Sequence, residues 1–203
     1  MGWIMSLLKM IQNKAEISKI ADFLDSLSHE KRLEETRTLS RKNQEWLYQQ
    51  SKESEPLQLS DFVPTEEPNV EVIHYGRNTL PLPNSLKLFE KRFCRPQNRE
   101  EALYGYNEGM TRPLIGPGYF VAKPCPEEWE QLGSIVIDYF EVPDEPVVDG
   151  WPKVKHNNQG LQILVYHQTR DFMRRVSSNV TIGAAYKKDK PLGHYFILCR
   201  NES

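Results

Sequence analysis

The chain has 203 residues, enough for one domain with a decorating subdomain and a core of its own. Its 38% hydrophobic content beside 27% charged residues and 14 prolines describes a soluble, loop-rich globule, somewhat polar for its size. The formal net charge of -2 argues against a general polyanion binder, because nucleic-acid affinity rests on a surplus of Lys and Arg, and no nucleic-acid partner is expected.

Residues 1–11 are largely apolar but lack a basic n-region and a small-residue cleavage site, which makes a poor secretory signal. The run is too short to span a bilayer, and no stable membrane insertion is expected. Gly2 with Ser6 fits the N-myristoylation pattern formally, yet bulky Trp3 follows the glycine. The expectation is an amphipathic helix that docks Trp3, Ile4, Leu7 and Leu8 onto the body. Next, Ile17, Ile20, Ala21, Leu24 and Leu27 recur at three- and four-residue steps and mark one helix face. Ser28 reads as the N-cap of a second helix, with Glu30 near its positive end, running to about residue 50 with Leu33, Thr36, Leu39, Trp46 and Leu47 inward. Two amphipathic helices with a short loop predict a helical hairpin, followed by a polar linker at 51–56.

The pattern then changes. Residues 70–75 read as a first strand, whereas 84–94 fit either a short helix (Leu86, Phe89, Phe93) or a strand (alternating Phe89, Lys91, Phe93). Further strands are predicted at 102–106, 114–123, 134–142, 160–168, 174–186 and 192–200. Gly116-Pro117-Gly118 marks a bend or bulge, 143–151 a long acidic turn, and Lys188-Asp189-Lys190-Pro191 a tight hairpin loop. Connections too short for crossover helices imply antiparallel order, and a twisted sheet of this size tends to curl or close. The fold class is therefore α+β, an N-terminal helical hairpin followed by a curved antiparallel sheet or small β-barrel. The organisation divides as a helical subdomain at 1–56, an extended connector at 57–100 and an antiparallel β domain at 101–203.

Local charge is uneven. Between 124 and 152 there is no Lys or Arg, while from Lys153 to Arg200 basic residues face only Asp171 and Asp189. This fits either cross-strand pairing of opposite charges, worth about 0.2–1 kcal/mol per pair, or a basic face that recruits an anion. Cys94, Cys125 and Cys199 are odd in number and widely spaced, as suits reduced thiols in a cytoplasmic protein, and none has metal-ligand spacing. No metal is expected and no cofactor is indicated.

Several residues could carry chemistry. Asp138, within Ile135-Val136-Ile137-Asp138-Tyr139-Phe140, is either an outward carboxylate paired with Arg or Lys, or a site carboxylate. Arg174 and Arg175 point to opposite faces of one strand, so one should meet the concave side, either as a grip for a carboxylate or phosphate or as half of an ion pair. His167 closes an apolar face of Leu161, Ile163 and Val165 and could act as a general base near Asp171, and His194 shares a face with Phe196 and Leu198. Ser177, Ser178 and Thr181 occupy no nucleophile elbow, and there is no Gly-rich phosphate loop.

The leading reading is a non-enzymatic binding module whose barrel-like pocket holds a small, partly apolar, anionic or lipophilic ligand. Tyr119, Phe140, Tyr166 and Phe196 would form its walls, with His194 beside them and Arg174 or Arg175 gripping the acidic head. Two alternatives stand beside it. One is an enzyme of hydrolase or isomerase type using His167 with Asp138 or Asp171. The other is a protein-interaction module working through the helical hairpin, with Trp3, Trp46 and Tyr48.

Overall fold

The computed structural model describes residues 5–202, so the predicted docking of Trp3 and Ile4 lies outside the described residues. Four helices come first: α1 (Leu7–Gln12), α2 (Ile17–Asp25), α3 (His29–Thr36) and α4 (Arg41–Gln50). Ser6, Ser28 and Ser40 each begin a helix by accepting a bond from the backbone N–H three residues on. The single helix predicted from Ser28 to about residue 50 is thus two. Ser40 and Asn43 form a reciprocal capping box that starts a new helix, and buried Leu39 sits in the break. Arg32 locks the hairpin, its guanidinium donating to the carbonyls of Leu24 (2.9 Å) and Leu27 (2.8 Å) and pairing with Glu202 (2.6 Å).

After α5 (Leu59–Phe62) the chain forms eight strands: β1 (Val72–Asn78), β2 (Leu88–Cys94), β3 (Leu103–Glu108), β4 (Phe120–Pro124), β5 (Ile135–Asp138), β6 (Thr169–Arg175), β7 (Val180–Lys187) and β8 (Lys190–Arg200). Each pairs antiparallel with the next, and β8 returns to β1, giving a closed up-and-down barrel. The α+β class with a small closed barrel is therefore correct, and its first two strands come from the stretch 57–100. The ambiguous segment is both things in turn, a 3-10 turn at Asn84–Leu86 and then β2.

Three predicted strands are corrected. Residues 160–168 hold a short helix, α7 (Gln162–Val165), because their alternation is inverted: Leu161, Ile163 and Val165 face out while Gln162 is buried. The segment 114–123 splits into α6 (Arg112–Ile115) and β4, since Gly116 and Gly118 take positive φ between them. The run 174–186 is a hairpin whose small polar residues Ser177, Ser178 and Asn179 take the turn, closed by Val176 N–H donating to Val180 O (2.9 Å).

Two cores result. Outside the barrel, α1 to α4 bury Leu7, Ile20, Leu24 and Leu47 against Val180, Ile182, Ile197 and Cys199 of β7 and β8. The helices' apolar faces are thus covered by the barrel wall, and Trp46 is partly buried there too. Inside, Phe93, Leu103, Phe120, Ile137, Met173 and Leu198 fill one end, plugged by Leu57, Phe62 and Val63 from the segment carrying α5. The β2–β3, β4–β5 and β6–β7 connections lie at this plugged end, and antiparallel order sends the other four connections to the opposite end. In three places a glycine faces a phenylalanine directly across two strands: Gly76 with Phe89, Gly105 with Phe120 and Gly183 with Phe196. The ring lies where a Cβ would be, which is how so narrow a barrel holds so many aromatics.

His74 belongs to the plugged end. It stacks on Phe62 and stands with Nε2 2.9 Å from Phe62 O, and burial pushes its pKa down to about 4. The imidazole is neutral in the fold and donates from Nε2. An unfolded histidine titrates near ~6.5. Between those values the unfolded chain binds more protons, so stability falls as pH drops, by up to about 1.4 kcal/mol per pH unit. Urea-unfolding midpoints should show that slope from about pH 6.5 to about pH 4, and His74→Gln, which can still donate to Phe62 O, should flatten it.

Candidate functional site

The inward face of β2 reads Phe89, Lys91, Phe93, and strand alternation carries the lysine into the barrel. Its side chain is only 2% exposed. An unaccompanied charge there would be prohibitively costly, and Lys91 has company on every N–H. Nζ donates to Asn107 Oδ1 (2.9 Å) and to Tyr139 Oη (2.5 Å), and lies 3.2 Å from Asp171 Oδ2. The rings of Phe120 and Phe196 (4.9 Å each) and of Tyr139 (5.1 Å) surround the ammonium.

The partners hold one another. Asn107 Nδ2 donates to Gly118 O (3.0 Å) and Tyr139 Oη (3.1 Å), and Tyr139 Oη donates to Asp171 Oδ2 (3.2 Å). Tyr166 stacks on Tyr139 with centroids 5.3 Å apart. Gly118 makes room for it: at φ +55° a Cβ would meet the Tyr166 ring at 2.4 Å. The Gly118 N–H donates to Gln162 Oε1 (2.9 Å), so the inverted residue of α7 fixes the floor of the site.

Burial lowers the pKa of Lys91 and raises that of Asp171, each opposed by the other's charge. Neither holds its charge as firmly as in water. Tyr139 is pushed well up, by burial and then by the Asp171 charge, and Tyr166 is raised for the same reasons. Both phenols are therefore neutral donors at ordinary pH.

Above this floor is a cavity of about 340 Å³ at the unplugged end. Its wall is largely apolar, with Leu80, Leu82 and Leu86 from the β1–β2 connection, Ile115 from α6, Val165 from α7 and Leu192 from β8. Phe89, Phe196 and His194 complete it. Among the described residues His194 Nδ1 is buried with no hydrogen-bond partner.

Of the residues singled out in the sequence, Asp171, Tyr166, His194 and Phe196 line this cavity, and the others lie elsewhere. Arg174 is outside the barrel, over the Tyr48 ring (4.1 Å), donating to the carbonyls of Tyr48 (2.7 Å) and Gln131 (2.8 Å). Arg175 shares the inward face of Asp171 and Met173 but sits at the plugged end, where Asp61 of α5 pairs with it at 2.6 Å. Asp138 faces out and pairs with Arg170 (3.0 Å), which stacks on half-exposed Phe140 (4.2 Å). Tyr119 packs outside on Tyr106 and Trp151 and donates to Pro152 O. His167 follows α7 in a turn, and among the described residues no hydrogen bond joins it to Asp138 or Asp171. Among the described residues no group of His, Cys, Asp and Glu is arranged to hold a metal ion, and no helix is long and apolar enough to cross a membrane.

Lys91, Asn107 and Tyr139 were missed. A signal for the first was available, since a lysine between two phenylalanines on one strand face must be either outward with both rings or inward with them. Comparison with protein-family models, with curated proteins and with solved structures finds no match for this chain, so the geometry of the barrel mouth is what its function must be argued from.

Proposed function

We propose that the protein is a binding module that holds one small, partly apolar molecule in the barrel mouth, with an acidic head group on the Lys91 floor. The observation that carries this reading is the cavity itself, apolar along its wall and ending on one polar cluster of Lys91, Asp171, Tyr139 and Asn107. That is the usual make-up of a small-molecule site, in which apolar surface supplies affinity and a few polar groups fix orientation. The grip falls to Lys91, since Arg174 and Arg175 are engaged elsewhere.

An acidic head brings a second negative charge beside Asp171. Burial has already raised the proton affinity of that carboxylate, so it takes up a proton and leaves the ammonium to the ligand. Proton uptake on binding means that affinity rises as pH falls. A neutral ligand of the same shape carries no such dependence.

Decanoate and decanol are the probes. Each should raise the thermal midpoint, a ligand at 100 times its dissociation constant adding about 2.7 kcal/mol. The decanoate shift should be larger at about pH 6 than at about pH 8, and Lys91→Met should abolish it while sparing decanol. The reading fails if neither compound stabilises the protein and native mass spectrometry shows no complex, or if decanoate binds Lys91→Met as tightly as the parent chain.

A further inference from the structure

Among the described residues large apolar side chains left in solvent are few, and they are not scattered. Apart from Met5 and Phe140, those that are most exposed sit on the connections at the unplugged end. Met110 (73% exposed) and Leu114 (74%) are in the β3–β4 connection, Leu161, Ile163 and Leu164 (74%) in the β5–β6 connection, and Leu192 beside the β7–β8 turn. They lie on the connections that carry Ile115, Val165 and Leu192 into the wall of the cavity.

The charge of the same end is one-sided. The stretches 79–87, 109–119, 153–168 and 187–194 contain Lys87, Arg112, Lys153, Lys155, Lys187, Lys188 and Lys190, and Asp189 is their sole acid. Glu141, Asp144, Glu145 and Asp149 come earlier in the β5–β6 connection, where the first three engage Lys123, Arg99, Tyr104 and Asn98. Asp189 is paired with Arg170 (2.9 Å), and Arg112 with Glu108 (2.7 Å). Among the described residues the six lysines have no ion-pair partner. A chain of net charge -2 thus presents one end that is apolar and cationic together.

We propose that this end of the barrel docks on an anionic lipid surface, with Met110, Leu114, Leu161, Ile163, Leu164 and Leu192 entering the headgroup region and the lysines meeting lipid phosphates and carboxylates. Apolar tips flanked by basic side chains are what interfacial binding requires, burial and electrostatic attraction acting together. The acidic surface of a protein partner would match the charge but would stopper the cavity, whereas a bilayer is a reservoir of molecules fit for it. The choice of a bilayer over a protein rests on the pocket reading, but the contacts use the rim and not the floor, so the two are tested by separate measurements.

Flotation with vesicles of about 3:1 phosphatidylcholine and phosphatidylserine tests it, against phosphatidylcholine alone. Binding to the anionic vesicles is expected, weakening as salt rises. Lys188→Gln with Lys190→Gln should weaken it about 25-fold, roughly fivefold per lysine. Leu114→Ser with Leu164→Ser should weaken it by about tenfold or more, and Lys42→Gln with Lys52→Gln, on the helical side, should leave it unchanged. All of these positions are exposed, so each variant should keep its thermal midpoint. The proposal is overturned if anionic vesicles do not bind, if the helical and rim variants bind alike, or if polyglutamate binds while vesicles do not, which would assign the surface to an acidic protein. Loss of decanoate binding with vesicle binding intact would sink the pocket reading alone.

Discussion

Asp171→Leu should destabilise the protein by about 3–5 kcal/mol at neutral pH, and adding Lys91→Met should recover most of that loss. The single change leaves a buried amine with no counter-charge, surrounded by the rings of Phe120, Phe196 and Tyr139. The double change leaves a hydrophobic pair of similar volume. Urea unfolding of the four proteins in the cycle is the check, and additive costs would show that the pair does not act as a unit. The pH dependence has a definite sign. In Asp171→Leu the buried amine folds neutral, with a pKa below the unfolded lysine value of about 10.4, so the unfolded chain binds the extra proton and stability rises with pH towards that value. A melting midpoint that climbs through the alkaline range in Asp171→Leu, and does not in the double variant, identifies Lys91 as the titrating group.

Gly105→Ala is expected to be the costliest single methyl in the chain, at about 3 kcal/mol. A Cβ there would stand 2.4 Å from the Arg92 carbonyl oxygen and 2.4 Å from the Phe120 ring. The ring can turn, but the carbonyl belongs to the β2 backbone and cannot move without disturbing the β2–β3 pairing. Gly183→Ala meets only side-chain ends, Phe196 and the Met173 sulfur, and should cost about 1–2 kcal/mol. Gly109→Ala finds its nearest neighbour at 3.5 Å and should stay within about 0.5 kcal/mol of the parent. The order of the three denaturation midpoints is the test, and equal values for Gly105→Ala and Gly109→Ala would refute the close-approach argument.

The β architecture was legible because alternating runs with short connections leave little besides an antiparallel sheet. Closure was not, because pairing of Tyr75 with Cys199 and of Gly76 with Leu198 leaves no local trace. Alternation misled at Leu161, Ile163 and Val165, where apolar residues look outward and the pattern marks a rim instead of a strand. The site was half legible. Asp171, Tyr166, His194 and Phe196 could be named from face and residue type, but the meaning of Lys91 depends on Tyr139 and Asp171, which lie two and three strands further round the barrel than Asn107. The arginine doublet drew notice for its affinity for anions. Yet the carbonyl of Tyr48 and the carboxylate of Asp61 that engage it come from the helical segment more than a hundred residues earlier, a relation invisible in local sequence.

The seam where β8 meets β1 has a consequence during synthesis. A ribosome delivers β1 early, with one edge unpaired, and that edge has no partner until the final strand emerges. The N-terminal helices wait as well, since the wall they cover is β7 and β8. Each strand can pair with the one before it as it emerges, but the seam and the helical packing cannot form until the end, so a nascent or truncated product lacking 190–200 carries two open sheet edges and a partly bare helical face, the makings of an aggregation-prone species that a cell must shelter or destroy.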